Sequence, residues 1–481
     1  MQERPITASF ESTHFIWATS LHSKVLKAKT QPNGRRLALL TPLKRAAYAT
    51  IGTLGLCTLS HASNLVDYGQ SYSAGAAPNP YSLFSGAYNP AAGSLMIDSD
   101  ERFRMSWFVA VSNATEFGQV DNFVDDIDEL IDILEDPENA QEEDVTQTTA
   151  RFNRVIEQAG QDGYLKTTTA ASLPAFPLYW NPSFVPGTLA FEMNFASQVQ
   201  LSLLADTLIY DEQKETFNTS TSAYIKSALQ KKISIGYSQQ TRTDVFGIEG
   251  SELYLGAKIN IYDIELSKQV FQLELLGGKE IEDVIKDEYK NNRIQSTGIG
   301  LDFGAILKAP KFMVGVSLES LNGPSFDYGS VGINCDQMVA GSDQQSNCTI
   351  AEYFANSKGL IDPYEQHKKD PKLTASGSYY ILDNWLVGAS LDLVSHDDPV
   401  AGENQWFNAA TSYHPQKYWI PGARVGFKQN LTDEKLTYAT FGLTFAATFN
   451  LDFIVSLDDV VVEDEKAPRG FGFALSFEEH F

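Results

Sequence analysis

From residue 180 onward the chain is written with a period of two. In Thr188 to Ala196, the side chains of Leu189, Phe191, Met193 and Phe195 fall on one face of a strand, and Glu192 and Asn194 fall on the other. The alternation returns at Ile299, Leu301, Phe303 and Ala305, at Phe312, Val314, Val316 and Leu318, and at Val387, Ala389, Leu391 and Leu393. It returns again at Phe441, Leu443, Phe445, Ala447 and Phe449. Most of these segments run about ten residues, the length a tilted strand needs to cross a bilayer. A soluble sheet with one wet face would also alternate. The opposite faces, however, carry Gly, Ser, Thr, Asp, Asn and Glu, as at Gly300, Asp302 and Gly304, with no second apolar set to build a sandwich core. The pattern predicts an all-β protein, a transmembrane antiparallel β-barrel of about 14 to 16 strands.

Link lengths test this, because bacterial barrels pair short inner turns with longer outer loops. Counting back from Phe481, Asp458 to Pro468 falls outside, a tight link near Asn450 inside, Asn430 to Lys435 outside and His414 to Tyr418 inside. His396 to Asn404 then falls outside, the Asp383–Asn384 turn inside, Asn322 to Lys372 outside and Lys308 to Lys311 inside. The count reaches sixteen with Leu165 to Leu173 left out of the wall. Weak turns at Ser197 and Gln230, if they are strand instead, bring it towards fourteen.

Ala46 to Leu59 is apolar, follows Lys44 and Arg45, and precedes Ser60-His61-Ala62-Ser63. Its fourteen residues are too few for a spanning helix, which needs about 20, and suit the apolar region of an export signal cleaved after Ala62 or Ser63. Residues 1–43 lie ahead of the basic pair and are expected to be an over-long start; no Met occurs between Met1 and Met96. Leu56 stands before Cys57 where lipid attachment requires a small residue, so this cysteine is expected to leave with the signal.

The chain of 481 residues has a net charge of −25, and residues 1–63 hold eight of its 36 basic side chains against two of its 61 acidic ones. What remains is more acidic still, which excludes nucleic acid as a ligand, since phosphate binding needs clustered Lys and Arg. Cys335 and Cys348 are the cysteines left after the leader. An even count in an exported chain predicts one disulfide closing a surface loop, and the CxxC spacing of redox enzymes is absent.

Between the first strand, near Arg102 to Val111, and the next secure one the spacing turns helical. Val120, Phe123, Val124, Ile127, Leu130, Ile131 and Leu134 share a face, and Phe152, Val155, Ile156 and Ala159 form a second short pattern. Pro174 to Pro186 reads as an aromatic, proline-rich loop. The stretch around Asn89, Pro90, Ala91, Ala92 and Gly93 is rich in small residues and proline and reads as compact and irregular.

In Arg469 to Phe481 the residues Phe471, Phe473, Leu475, Phe477 and Phe481 alternate with Gly472, Ala474, Ser476, Glu478 and His480. This resembles the last strand of Gram-negative outer-membrane barrels, and the resemblance implies an assembly signal read by the barrel-assembly machinery. An Asn-Pro-Ala segment ahead of the first strand resembles the FadL-like superfamily of fatty-acid-type outer-membrane transporters, where such a segment belongs to a plug inside the barrel. Closer still is the family of plasmid transfer operon TraF proteins. The resemblance lies in YNPAAG at Tyr88 to Gly93, YWIPGARVGFKQNL at Tyr418 to Leu431, TYATFGLTFAATFNLDF at Thr437 to Phe453 and the GFGFALSF ending. These likenesses imply a leader over 1–63, a plug over 64–100 and a bacterial outer-membrane barrel over 101–481, with a helical insertion at 119–163 and an outer loop at 322–372. They imply two functions, passive passage of a hydrophobic or amphipathic solute, or a structural place among the proteins of a conjugation or secretion machine. Outer-membrane lipid is the expected surround in both.

Catalytic spacings are missing. There is no HExxH or GxSxG, Gly277-Gly278-Lys279 is followed by Glu280 and so is no phosphate loop, and the acidic runs lack the ligand order of a calcium loop. His396 with Asp397 is the nearest approach to a barrel phospholipase dyad. No enzyme activity, cofactor or metal is expected.

Overall fold

The alternation becomes a closed wall in the computed structural model, which describes residues 68–97, 101–135, 145–275, 292–400, 402–432, 435–462 and 465–478. The strands are β1 (Phe103–Met105), β2 (Ala110–Phe117), β3 (Tyr164–Ser172), β4 (Leu178–Trp180), β5 (Thr188–Leu204), β6 (Ile209–Asp211), β7 (Thr216–Asn218) and β8 (Ser222–Thr243). They continue with β9 (Glu252–Gln272), β10 (Arg293–Lys308), β11 (Phe312–Glu319), β12 (Ser325–Asp327), β13 (Gln366–Lys368), β14 (Lys372–Leu382), β15 (Trp385–Asp392), β16 (His396–Asp397) and β17 (Glu403–Asn404). The last are β18 (Trp406–Tyr413), β19 (Gly422–Asn430), β20 (Thr437–Phe445), β21 (Phe449–Ser456), β22 (Asp459–Val462), β23 (Glu465–Pro468) and β24 (Gly470–Phe477).

Fourteen of these, β2, β3, β5, β8 to β11, β14, β15, β18 to β21 and β24, form an antiparallel ring in chain order. It closes where β2 meets β24, from Val111 opposite Leu475 to Glu116 opposite Gly470. Along that ladder, from Val111 to Glu116, closure leaves no open sheet edge, the condition for a sheet to lie in lipid.

The wall is inside out relative to a soluble protein. On its outer face Ile299 is 56%, Phe303 45% and Val314 52% exposed, while on its inner face Glu192, Lys258, Asp302, Arg424 and Asp452 are all buried. Apolar side chains on the outside would be unfavourable against water and are neutral or better against hydrocarbon. At the end with the short turns, Trp107, Phe108, Trp180, Phe184, Trp385, Tyr418 and Trp419 are exposed on the surface, an aromatic belt of the kind that sits at lipid headgroups.

At the other end β5, β8 and β9 run on past the apolar band. Along β9 exposed and buried residues alternate as far as Ile261, whereas every residue from Leu266 to Phe271 is buried. Both faces are covered there. Outside lie the helices α4 (Phe123–Glu135) and α5 (Val145–Asp162), whose Phe123, Leu130, Ile133, Phe152 and Ile156 pack with Leu203, Ala223, Ile225 and Phe271. On the inner face the helix α6 (Asp343–Tyr353) closes over Leu204 and Val270, with Val331, Ala351 and Phe354. Cys335 and Cys348 are joined across a Cα separation of 5.5 Å and tether α6 to the preceding segment.

Five local expectations change. Leu165 to Leu173 is wall, because β3 is laddered to β2 on one side and β5 on the other. Ser197 and Gln230 are paired opposite Leu229 and Ala196 inside long strands, with no turn at either. Pro174 to Pro186 contains β4, and the first strand is split into β1 and β2 by residues 106–109. The link expected near Asn450 lies at Ala446–Thr448. The signal region, Gly277 to Glu280 and Phe481 lie outside the described residues.

Candidate functional site: the plugged lumen

Residues 68–97 fold into three short helices, α1 (Ser71–Ala74), α2 (Ser85–Tyr88) and α3 (Ala92–Met96), and occupy the lumen end nearest the short turns. Small residues let this segment approach the wall. A Cβ at Gly304 would sit 2.0 Å from Asn89 Oδ1, and one at Gly256 would sit 2.4 Å from the Pro90 backbone. Gly256 and Gly304 are ladder partners, so two adjacent strands provide one flat seat for the Asn-Pro-Ala turn. Asn89 then donates from Nδ2 to the carbonyls of Ala305 (3.3 Å) and Val316 (3.1 Å), and its Oδ1 accepts from Ala91 N at 3.0 Å. Ala91 and Ala92 are buried below this contact, and a Cβ on Gly93 would lie 2.8 Å from Ser238 Oγ.

Polar bonds fasten the plug around the ring. Glu478 accepts from the backbone N–H groups of Gln70 (3.4 Å) and Leu83 (2.6 Å), and Tyr72 donates to Asn113 O at 2.9 Å. Ser73 bonds Asp452, which also receives Arg424 Nε at 3.0 Å and Nη2 at 3.1 Å. Arg104 reaches the carbonyls of Met96 (2.5 Å) and Pro80 (3.3 Å). Lys258 donates to the carbonyls of Gly86 (3.2 Å) and Ala87 (3.3 Å) and lies 3.3 Å from Glu192 and 3.9 Å from Asp302. Buried charges persist when such partners surround them, since each alone would be strongly unfavourable.

The lumen is therefore banded. Leu83, Leu95 and Met96 of the plug form an apolar layer with Tyr179, Ile306, Met313 and Leu386 of the surrounding strands. Next comes the charged layer of Glu192, Lys258 and Asp302, and above it Tyr262, Ile264, Leu266, Phe326, Tyr328 and Val400 form a second apolar layer. Phe326 and Tyr328 belong to the long loop between β11 and β14, and Val400 to the loop between β15 and β18, so both loops enter the mouth. Burial there, reinforced by Lys369, holds His367 down to about 3, and burial with Lys372 does the same to His396. Lys369 is lowered to about 8 by burial and by Lys232.

Of the expected site residues, Asn89 to Gly93 sit against the wall inside the ring, and Cys335 and Cys348 lie beside the extended strands. Phe471, Phe473, Leu475 and Phe477 fall on the outer face of β24. Among the described residues neither ring nitrogen of His396 has a hydrogen-bond partner. Among the described residues no cluster of three or more His, Cys, Asp or Glu converges as for a metal ion. Arg104, Arg424, Glu478 and Lys258 were not singled out from the sequence. Their signal was a charge at the inward position of an alternating strand.

A closed wall with an apolar exterior and a lumen filled from its own N-terminal side defines a plugged transmembrane β-barrel. The family model described as "F plasmid transfer operon, TraF, protein" matches residues 86–392, and the chain belongs to that family. No curated protein sequence matches. Among solved structures the chain is similar to a deletion mutant of the TodX monoaromatic hydrocarbon channel, at 11% identity over 87% of this chain and 100% of that one, with a TM-score of 0.42. It is similar also to the Pseudomonas aeruginosa FadL homologue, at 10% identity over 87% and 98%, TM-score 0.38. Outer membrane phospholipase A from Escherichia coli matches at 8% identity over 78% and 94%, TM-score 0.23.

Proposed function

We propose that this protein is an outer-membrane barrel that passes a hydrophobic or amphipathic solute down its gradient, past the plug. The observation that carries the reading is an interruption of the wall beside the plug. β1 pairs with β4 and not with β24, while β2, the continuation of the same strand, is the one laddered to β24. The gap is bridged by Ser106, whose Oγ donates to Phe477 O at 2.6 Å, and by Phe108 against the Phe477 ring at 4.8 Å. Arg104, one residue from the gap, holds the plug's end at Met96. A solute leaving the apolar layer around Leu95 and Met96 would here meet, among the described residues, side chains and the Ser106 hydroxyl bond, where along β2 it would have to break a continuous ladder.

The export signal before Ser63 and the aromatic final strand support delivery to the outer membrane by the assembly machinery. N-terminal sequencing of the membrane-extracted protein should begin at Ser63 or Asn64, and deleting Phe481 should lower the assembled yield more than a change at Gly341. The function is tested in proteoliposomes by uptake of a pyrene-labelled amphiphile. Protein-dependent uptake supports passage, and uptake equal to that of empty vesicles overturns it.

The family's description favours a second reading, a structural component of a conjugation machine, with the helices α4 and α5 as contact surface. Loss of plasmid transfer from a deletion strain with unchanged solute uptake would favour it.

A further inference from the structure

We infer that the loop between β15 and β18 is a strap that closes the mouth of the barrel and is released at one ionic latch, Asp398. In the ring, β3 is six strands from β18 in one direction and β5 is six strands from β15 in the other. The strap therefore leaves one wall and reaches the wall opposite. There the fully buried Asp398 carboxylate meets Lys166 of β3 at 2.5 Å and receives Gln198 Nε2 of β5 at 3.1 Å. The same carboxylate accepts from Val400 N at 2.9 Å, so the tip's own turn is set by the latch. Val400, wholly buried, then plugs the apolar layer formed with Phe326 and Tyr328.

The arm between base and tip is slight. β16 and β17 share two residue pairs, His396 with Asn404 and Asp397 with Glu403. The base is fixed instead, because Asn430 donates to Glu403 O at 3.1 Å and its Oδ1 accepts from Gln405 N at 2.9 Å. The arm is fixed at its root and held across by the two ladder pairs and by Asp398 N donating to Gly402 O at 3.0 Å, and its polar fastening to the opposite wall runs through one carboxylate. The longer loop differs, for Glu365 meets Lys226 at 2.5 Å and Lys268 at 3.6 Å while α6 is packed and disulfide-tethered above it. That loop is the fixed frame, and the strap is the moving part.

The strap's use as a gate rests on the lumen being a passage, but its closure can be measured without any solute crossing. Gln230 faces the lumen on β8 one inward position deeper than Ala228, which is paired with the latch residue Gln198, and its Oε1 has no partner among the described residues. With Cys335 and Cys348 joined and Cys57 in the leader, a Gln230→Cys variant offers a single reactive thiol in the mature chain. In nanodiscs, labelling of this thiol by a charged maleimide should be slow in the otherwise unchanged protein. It should be at least tenfold faster with Asp398→Ala, equally so with Lys166→Met, which breaks the latch without touching the strap, and slow again in the charge swap Lys166→Asp with Asp398→Lys. Heat-modifiable migration verifies that each barrel is folded. Equal labelling rates in folded parent, Asp398→Ala and Lys166→Met proteins would overturn the strap, and so would fast labelling of the parent.

Discussion

The membrane band and the extension above it are built from the same strands and solve opposite problems. In the band, β9 presents Leu255, Ile259 and Ile261 to the outside and keeps Lys258 and Asn260 within. A few residues later the same strand has Val270 buried against α6 on one side and Phe271 against α4 and α5 on the other. No change of secondary structure separates the two regimes. What changes is the medium, because lipid makes an apolar exterior stable and leaves polar contacts to hold the interior, while water restores the usual apolar core. Between them, on the outer face, lie Lys231 with Asp263 at 2.7 Å and Arg293 with Glu265 at 3.2 Å, a charged rim that marks the boundary.

The comparison is broken most severely at the polar core of the band. Arg424→Met leaves Asp452 buried without its guanidinium, and removing one partner of a buried pair costs about 3–5 kcal/mol. The barrel of this variant should lose its heat-modifiable form at clearly lower temperature than wild type, and replacing Asp452 as well should restore much of the loss. In the extension the sensitive residue is apolar. Phe152→Ala removes a fully buried ring at a cost of about 3–5 kcal/mol, confined to the α4–α5 layer. Limited proteolysis should then cut residues 119–163 while the barrel stays intact.

Smaller effects sharpen the contrast. Phe303→Arg places a charge on the lipid face and should cost about 2–4 kcal/mol near the bilayer centre, read as reduced folded yield in vesicles. Acid should loosen only the mouth. His367 and His396 are held at about 3 in the folded protein, so between the ordinary histidine value near 6.5 and that limit the unfolded mouth takes up protons that the folded mouth refuses. Mouth stability is thus full above about pH 6.5 and falls as pH drops towards 3. Hydrogen exchange in Gln366–Lys368 and His396–Asp397 should quicken on going from pH 7 to 4, after correction for intrinsic rates, with β20 unchanged.

How much of this was legible follows from the same physics. Strands wholly inside the band, such as Phe312–Glu319 and Thr437–Phe445, declare themselves by alternation because lipid and lumen demand opposite side chains. β3 does not, since Thr167 and Thr169 occupy its outward positions and its place depends on ladders to both neighbours. Ser197 and Gln230 looked like turns because polar residues interrupt the apolar face as the strands approach the extension. Asn-Pro-Ala was recognisable as a motif, but its seat on Gly256 and Gly304 was not. Nor were Ser73 with Arg424, or Lys166 with Asp398, whose partners are hundreds of residues apart and meet only when the ring closes.

The central claim, one strand crossing from an inverted core to an ordinary one, is tested most directly by spin labels placed singly from Leu255 to Phe271 in lipid bilayers. Accessibility to oxygen should be high at Leu255, Ala257, Ile259 and Ile261 and low at the residues between them, and from Leu266 onward labels on both faces should be shielded from oxygen and from a water-soluble relaxant alike. Uniform access to the water-soluble reagent along the whole strand, or oxygen contrast continuing unchanged to Phe271, would contradict it.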